Sequence, residues 1–289
     1  MSFTALILNP THADGSAIAE ELAALPEVRT WETSAESPGR EQAREALAEG
    51  AAAVLVAGGD GTQRVVAGVL GGTGVPLGIL ATGTACVYAR NLGLPLGVAG
   101  KEVALTGTPR PMDLGWARID DGEAMPFLVA AGIGRDAETL AEVRDDLKEK
   151  LGWVAYAQAG MTTAGRDALP MRINDEPVEA WSVLAGNVGN IPMAAMFPDA
   201  APDDGVLHVM HLGVNGWLDW VPVALAGLTR TRADLGKLRR WEADRVVITT
   251  DEPIAVQLDG DELPPARKLE VWLQPGALQI RCQGDSAQS

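Results

Sequence analysis

Hydrophobic and polar positions divide the chain into two rhythms. In the first third, short apolar runs alternate with stretches whose apolar residues recur every three or four positions. Residues 4–10 (TALILNP) read as a strand ended by proline, and 39–51 (GREQAREALAEGA) as a helix with Ala43, Leu47 and Ala51 on one face. Residues 52–59 (AAVLVAGG) form an unbroken apolar run, the pattern of a strand covered on both faces. A helix over 62–72, a strand over 75–83 and a helix over 84–94 follow. Strand–helix alternation with short loops predicts a parallel α/β sheet.

Near residue 113 the rhythm changes. Residues 111–134 read as a hairpin around Asp120-Asp121-Gly122, and 136–164 as a long amphipathic helix. The remainder is mostly short alternating runs with turn signals, interrupted by one helix near 217–229, which predicts an antiparallel β-sandwich. The expected organisation is therefore an α/β domain over 1–113 and a β domain over 114–280, with the C-terminal tail free to return to the first.

Composition narrows the function classes. The formal net charge of -16 opposes binding to nucleic acid, except through a local basic patch. Two cysteines, Cys86 and Cys282, form neither a disulfide framework nor a metal-ligand spacing. The N-terminus reads as a first strand and not a signal peptide, and no apolar run approaches the ~20 residues of a membrane span. These features set the expectation of a cytoplasmic protein, peripheral at most at the inner face of the membrane. The sequence does not reveal an oligomeric state.

The candidate chemistry sits at the ends of the apolar runs. Gly58-Gly59-Asp60-Gly61-Thr62 follows the central strand and opens a helix. Glycines let backbone N–H groups approach an anion, and the helix presents its positive N-terminus. Asp60 would repel bare phosphate, so its expected role runs through Mg²⁺ or a hydroxyl proton. Gly83-Thr84 after the next strand and Asn9-Pro10-Thr11 after the first are two further turns of this kind. Three such loops at one edge of a parallel sheet make a nucleotide site at the strand carboxyl ends. A tight strand–helix turn with a capping residue explains any one of them alone.

These turns fall in order with 76–95 (PLGIL…GT…AR.LGLP), 112–115 (MDLG), 127–138 (FLVAAGIGRDAE), 151–156 (LGWVAY), Gly186-Asn187, 197–209 (FPDAAPDDGVLHV) and 258–264 (LDGDELP). In that order and spacing the chain resembles the bacterial diacylglycerol kinase-type lipid kinases, relatives of sphingosine kinases and, more distantly, of NAD kinases. The resemblance implies an α/β nucleotide domain, a β-sandwich domain and an active site in the cleft between them. It implies transfer of the γ-phosphoryl group of ATP, with Mg²⁺, to a hydroxyl of a diacylglycerol-like lipid. It places Asn9, Pro10, Thr11, Thr33, Gly58, Gly59, Gly61, Thr62, Gly83 and Thr84 around the nucleotide. It makes Asp259 or Asp261, in a turn that reads Asp-Gly-Glu in the family, the proton acceptor beside Asp60. It also gives Asp204, with the carbonyls of Ala201 and Val206, to a second, structural Mg²⁺.

Departures fall inside the motifs. Where the family usually carries an apolar residue, Asn and Glu, this chain has Gln63, Arg64 and Val65. Where it usually carries Gly-Asn-Asp-Phe, this chain has Ala85, Cys86, Val87 and Tyr88. Two functions follow: a lipid kinase in which Arg64 takes a phosphate contact, or a member with little turnover that binds nucleotide or lipid as a sensor or carrier. A kinase for a soluble substrate fits the 197–209 and 258–264 segments less well. For contact with a membrane, 216–241 is the candidate, with Trp217 and Trp220 ahead of Arg230, Arg232, Lys237, Arg239 and Arg240. The plainer expectation for that segment is a helix packed on the sandwich and a solvated basic loop.

Overall fold

The computed structural model describes residues 2–11, 20–22, 24–142, 165–191, 194–229 and 236–284. The chain divides into two units, Met1–Leu114 with Pro275–Ser289, and Gly115–Gln274.

The first unit is built on strands β1 (Phe3–Leu8), β2 (Val28–Glu32), β3 (Ala51–Gly58) and β4 (Pro76–Ala81). They lie parallel in the order β2-β1-β3-β4. β3 is the central strand, and its unbroken apolar sequence is buried at every position except Ala52. Helix α1 (Arg40–Ala48) buries Ala43 and Ala46, while α2 (Asp60–Leu70) buries Val66, Ala67 and Leu70. The two helices supply the apolar stripe that a parallel sheet needs as cover. Two elements depart from the hydropathy pattern. β2 is a half-exposed edge strand whose alternation is too weak to read. The helix expected over 84–94 shrinks to α3 (Val87–Asn91), because Cys86 takes a left-handed conformation (φ 46°) that no helix continues through. A further helix, α4 (Lys101–Thr106), packs beside β4.

The second unit is antiparallel. β5 (Thr108–Ile119) and β6 (Ala124–Phe127) form the expected hairpin, and β7 (Ala130–Gly134) follows. Helix α5 covers Arg135–Glu142; the rest of the long helix expected over 136–164 lies outside the described residues. Then come β8 (Leu169–Ile173), β9 (Glu176–Ala180), β10 (Ser182–Gly186), the short pair β11 (Asn190–Ile191) and β12 (Ala194–Ala195), and β13 (Leu207–Leu212). A 3-10 turn over Trp217–Asp219 leads into helix α6 (Trp220–Thr229), where Pro222 falls in the first turn and removes no helical hydrogen bond. β14 (Leu238–Ala243), β15 (Arg245–Leu258) and β16 (Asp261–Cys282) complete the chain. The strands run β14-β13-β10-β7-β15-β16.

Strand periodicity assigns the faces. Val183 and Val209 enter a core with Phe127, Ile133, Val246, Val256 and Leu269. Their neighbours Leu184 and Met210 face the other way, into a cluster with Trp181, Phe197 and Ala226 of α6. β16 ends in the first unit, where Gln279 and Ile280 pair in parallel with Pro76 and Leu77 of β4.

Candidate active site

In the first unit, Asn9, Gly58 and Gly83 follow or end neighbouring parallel strands, so the ladder itself brings their loops together. The Asn9 N–H donates to the Ala57 carbonyl at 2.8 Å, the Thr33 N–H to that of Leu8 at 2.8 Å, and the Thr82 N–H to that of Gly58 at 3.3 Å. Asn9 closes its own turn by accepting from the Thr11 N–H and hydroxyl, at 3.1 and 2.7 Å. Its Nδ2 reaches Thr62 Oγ1 at 3.4 Å, across to the start of α2. A Cβ added to Gly83 would lie 2.6 Å from the Cα of Gly59, so two backbones touch where side chains are absent. Thr84, Pro10 and Thr11 are exposed beside this contact, while Thr33 and Thr62 are buried.

Asp60 is the first residue of α2, and its carboxylate is directed at the backbone N–H groups of Tyr88, Val87 and Cys86, where α3 begins. Burial raises its pKa above the ordinary aspartate value, and those amides offset only part of the rise. Asp60 Oδ1, Gln63 Oε1 and Thr82 Oγ1 are buried with no hydrogen-bond partner among the described residues. Buried polar atoms are normally satisfied, so each of these three is left open for a further hydrogen bond or cation contact. Their chemistry fits a nucleotide and its cation: glycine amides for phosphate, acceptor oxygens for a metal ion, water or a ribose hydroxyl.

Two of the departing residues, Gln63 and Cys86, turn inward. Gln63 Nε2 donates to the Gly58 carbonyl at 3.0 Å, and Val65 packs toward Gly39. Cys86 Sγ lies 2.9 Å from the Gly83 carbonyl. Burial pushes its thiol pKa up to about 11, the opposite of an activated cysteine at a helix start.

In the second unit, Asp259 and Gly260 join β15 to β16 with φ values of 51° and 88°. Two positive values are what a two-residue hairpin turn of the primed type requires. Asp259 is held from all sides. Its carboxylate accepts the N–H groups of Leu128 (2.9 Å), Val129 (2.8 Å) and Ala130 (3.0 Å), while its own N–H donates to the Ala130 carbonyl at 2.8 Å. Asn187 clasps the same corner through the Val129 and Leu128 carbonyls. Asp261 is exposed at the start of β16.

Behind the turn runs a buried polar chain that motif reading misses. Gln257 accepts from the Gly260 N–H at 3.0 Å and donates to Asp136 Oδ2 at 3.3 Å. Ser182 Oγ donates to Asp136 Oδ1 at 2.5 Å and accepts from the Asp136 N–H at 2.9 Å. Burial raises the Asp136 carboxyl, and the bonds from Ser182 and Gln257 counter it in part. The available signal was a lone polar residue inside an apolar strand, Gln257 in IAVQL.

The loop expected to hold a second Mg²⁺ is a turn closed on Asp204. Ala201 and Val206 donate their N–H groups to the Asp204 carboxylate at 2.8 and 2.9 Å, and the Ala201 carbonyl accepts the Asp204 N–H at 3.2 Å. Asp204 Oδ2 also lies 2.9 Å from His208 Nε2. Both carboxylate oxygens of Asp204 thus accept hydrogen bonds that close the turn ahead of β13. Among the described residues, no group of three or more His, Cys, Asp or Glu side chains is placed to hold a metal ion.

A parallel sheet with glycine turns at its strand ends, followed by an antiparallel unit with an acidic hairpin, defines a two-unit α/β plus β protein with a phosphate-type turn set. Residues 5–117 match the family model of the diacylglycerol kinase catalytic domain. The chain is 32% identical over 270 residues to a Pseudomonas aeruginosa protein named "Probable lipid kinase YegS-like", covering 89% of this chain and 84% of that one. A Xanthomonas oryzae pv. oryzae protein of the same name is 29% identical, with 97% and 96% covered. A solved diacylglycerol kinase from Bacillus anthracis str. Sterne shares the fold, with a TM-score of 0.74 at 22% identity over 99% of each chain. The chain belongs to the diacylglycerol kinase catalytic-domain family.

Proposed function

We propose that the protein is an ATP-dependent lipid kinase that transfers the γ-phosphoryl group of ATP to a hydroxyl of a diacylglycerol-like lipid. The observation that carries this reading is the junction of Gly59 with Gly83, tied to the first loop by the Asn9–Thr62 bond. It gathers backbone amides from separate loops into one cradle for phosphate. The amides of Gly58 to Gly61 and of Gly83 would hold the phosphates, with the Thr62 and Thr84 hydroxyls beside them. Asp60, whose Oδ1 has no partner among the described residues, would meet a nucleotide-bound Mg²⁺. That ion supplies neutralisation of the charge on the transferring group.

The two acids of the turn take different roles in this reading. Three of the roughly four acceptor positions of the Asp259 carboxylate are filled by backbone N–H groups, which suits positioning. Asp261, exposed one residue past the turn, is the group to take the proton of the attacking hydroxyl. The test is transfer of label from γ-labelled ATP into dioctanoylglycerol by the purified protein. Labelled lipid phosphate that disappears in Asp261→Asn, with an unchanged Tm, supports the reading.

The inward bonds of Gln63 and Cys86 favour a second reading, in which the nucleotide loops close on themselves and the protein binds without turnover. ATP binding with no labelled lipid would select it.

A further inference from the structure

Among the described residues five large apolar side chains are strongly exposed, and four of them belong to one segment: Trp217 (55%), Leu218 (87%), Val221 (66%) and Leu225 (60%). The opposite side of the same helix is already committed. Ala226 is buried, and Trp220 and Val223 pack on the cluster of Trp181, Leu184 and Phe197. The Trp220 ring meets that of Trp181 edge-on, with centroids 4.7 Å apart. A surface helix normally turns polar residues to solvent once its apolar stripe is covered. α6 is apolar on both sides. Single exposed leucines need no explanation, but a contiguous patch marks a binding face.

Charge identifies the occupant. The chain as a whole carries -16, yet residues 217–240 hold Arg230, Arg232, Lys237, Arg239 and Arg240 against Asp219 and Asp234. Lys237 bridges to Asp219 at 3.4 Å, which fixes the start of β14 beside the start of the exposed helix. Asp219 is neutralised there and also accepts from the Asn215 N–H at 2.8 Å. Arg239, two residues on, is exposed. Exposed tryptophan and aliphatic side chains in a segment with a local excess of positive charge match the boundary between acyl chains and anionic headgroups.

We infer that the face formed by Trp217, Leu218, Val221 and Leu225 docks on an anionic lipid bilayer, with Arg239 of β14 at headgroup level. This goes beyond phosphoryl transfer and does not depend on it, because binding is read without ATP.

The experiment is co-sedimentation of the full chain with vesicles of phosphatidylcholine alone, or with about a third phosphatidylglycerol. The chain pellets with the anionic vesicles. Leu218→Glu/Val221→Glu, at two exposed positions, lowers the bound-to-free ratio about tenfold while Tm is unchanged. Wild-type protein that stays in the supernatant, or a double variant that pellets like wild type, overturns the inference. So does a wild-type dimer that the double variant dissociates, which would give the face to a second copy. If the double variant does not fold, brominated lipid decides the matter: it quenches wild-type tryptophan fluorescence, and Trp217→Phe loses part of that quenching. Absence of quenching in the wild type also overturns the inference.

Discussion

Gln257 links a buried acid to the backbone of the acidic turn: its amide nitrogen donates to Asp136 at 3.3 Å and its amide oxygen accepts from the Gly260 N–H at 3.0 Å. The side chain is 5% exposed, so water cannot replace either bond. Gln257→Leu is expected to strand both partners and cost about 1–3 kcal/mol, read from the urea midpoint. Gln257→Glu keeps the shape but sets a second carboxylate against Asp136, and is expected to destabilise more at neutral than at acid pH.

Asp136 also sets a pH dependence. Burial raises its folded-state pKa, with Asp60 shifted in the same direction for the same reason. A raised carboxyl binds its proton more tightly in the folded than in the unfolded chain. Its contribution to stability is therefore present below the ordinary aspartate value of about 4 and is lost as pH rises through the raised value. Asp136→Asn removes that titration. Stability of the wild type relative to this variant is expected to fall as pH is raised from about 4, measured as paired urea midpoints. A difference that is flat with pH would contradict the assignment.

Gly83 tests the phosphate cradle. Its Cβ would meet the Cα of Gly59, which is backbone and cannot swing aside. Gly83→Ala is expected to cost about 1–3 kcal/mol through overpacking. By separating the two loops it should also weaken binding of a fluorescent ATP analogue about tenfold, the consequence of misplaced donors. Titration of that analogue, beside a thermal melt, separates the two effects.

Asp259 and Asp261 should part company under mutation. Asp259→Ala leaves the Leu128, Val129 and Ala130 N–H groups without their acceptor, so its primary effect is on folding, about 3 kcal/mol or more. Asp261→Asn, at an exposed position, should leave the melt unchanged and remove phosphoryl transfer. Equal loss of Tm in the two variants would overturn this division.

Much of the architecture was legible locally. The unbroken run in β3 announced a strand covered on both faces, and Gly58 to Thr62 announced its turn, because both signals lie within a few consecutive residues. α3 was harder to read. The residues of 84–94 have helical spacing, but Cys86 is buried and its left-handed backbone starts the helix late. At α6 the segment suggested either a packed helix or a membrane face; the fold packs Val223 and Ala226 on one side and leaves Val221 and Leu225 exposed on the other.

Sequence alone determined the strand–helix alternation of the first unit, the change to strands after it, the family, and the glycine turns at the strand ends, since hydrophobic period and glycine content act over short stretches of chain. Tertiary structure decided the partners of the acids. Asp259 meets an N–H group 131 residues away, and Asp136 and Gln257 meet across 121 residues. Asp204 is met by amides of its own loop and by the imidazole of His208 in β13. A carboxylate's chemistry depends on which donors saturate it, and only the folded chain brings those donors within hydrogen-bonding distance.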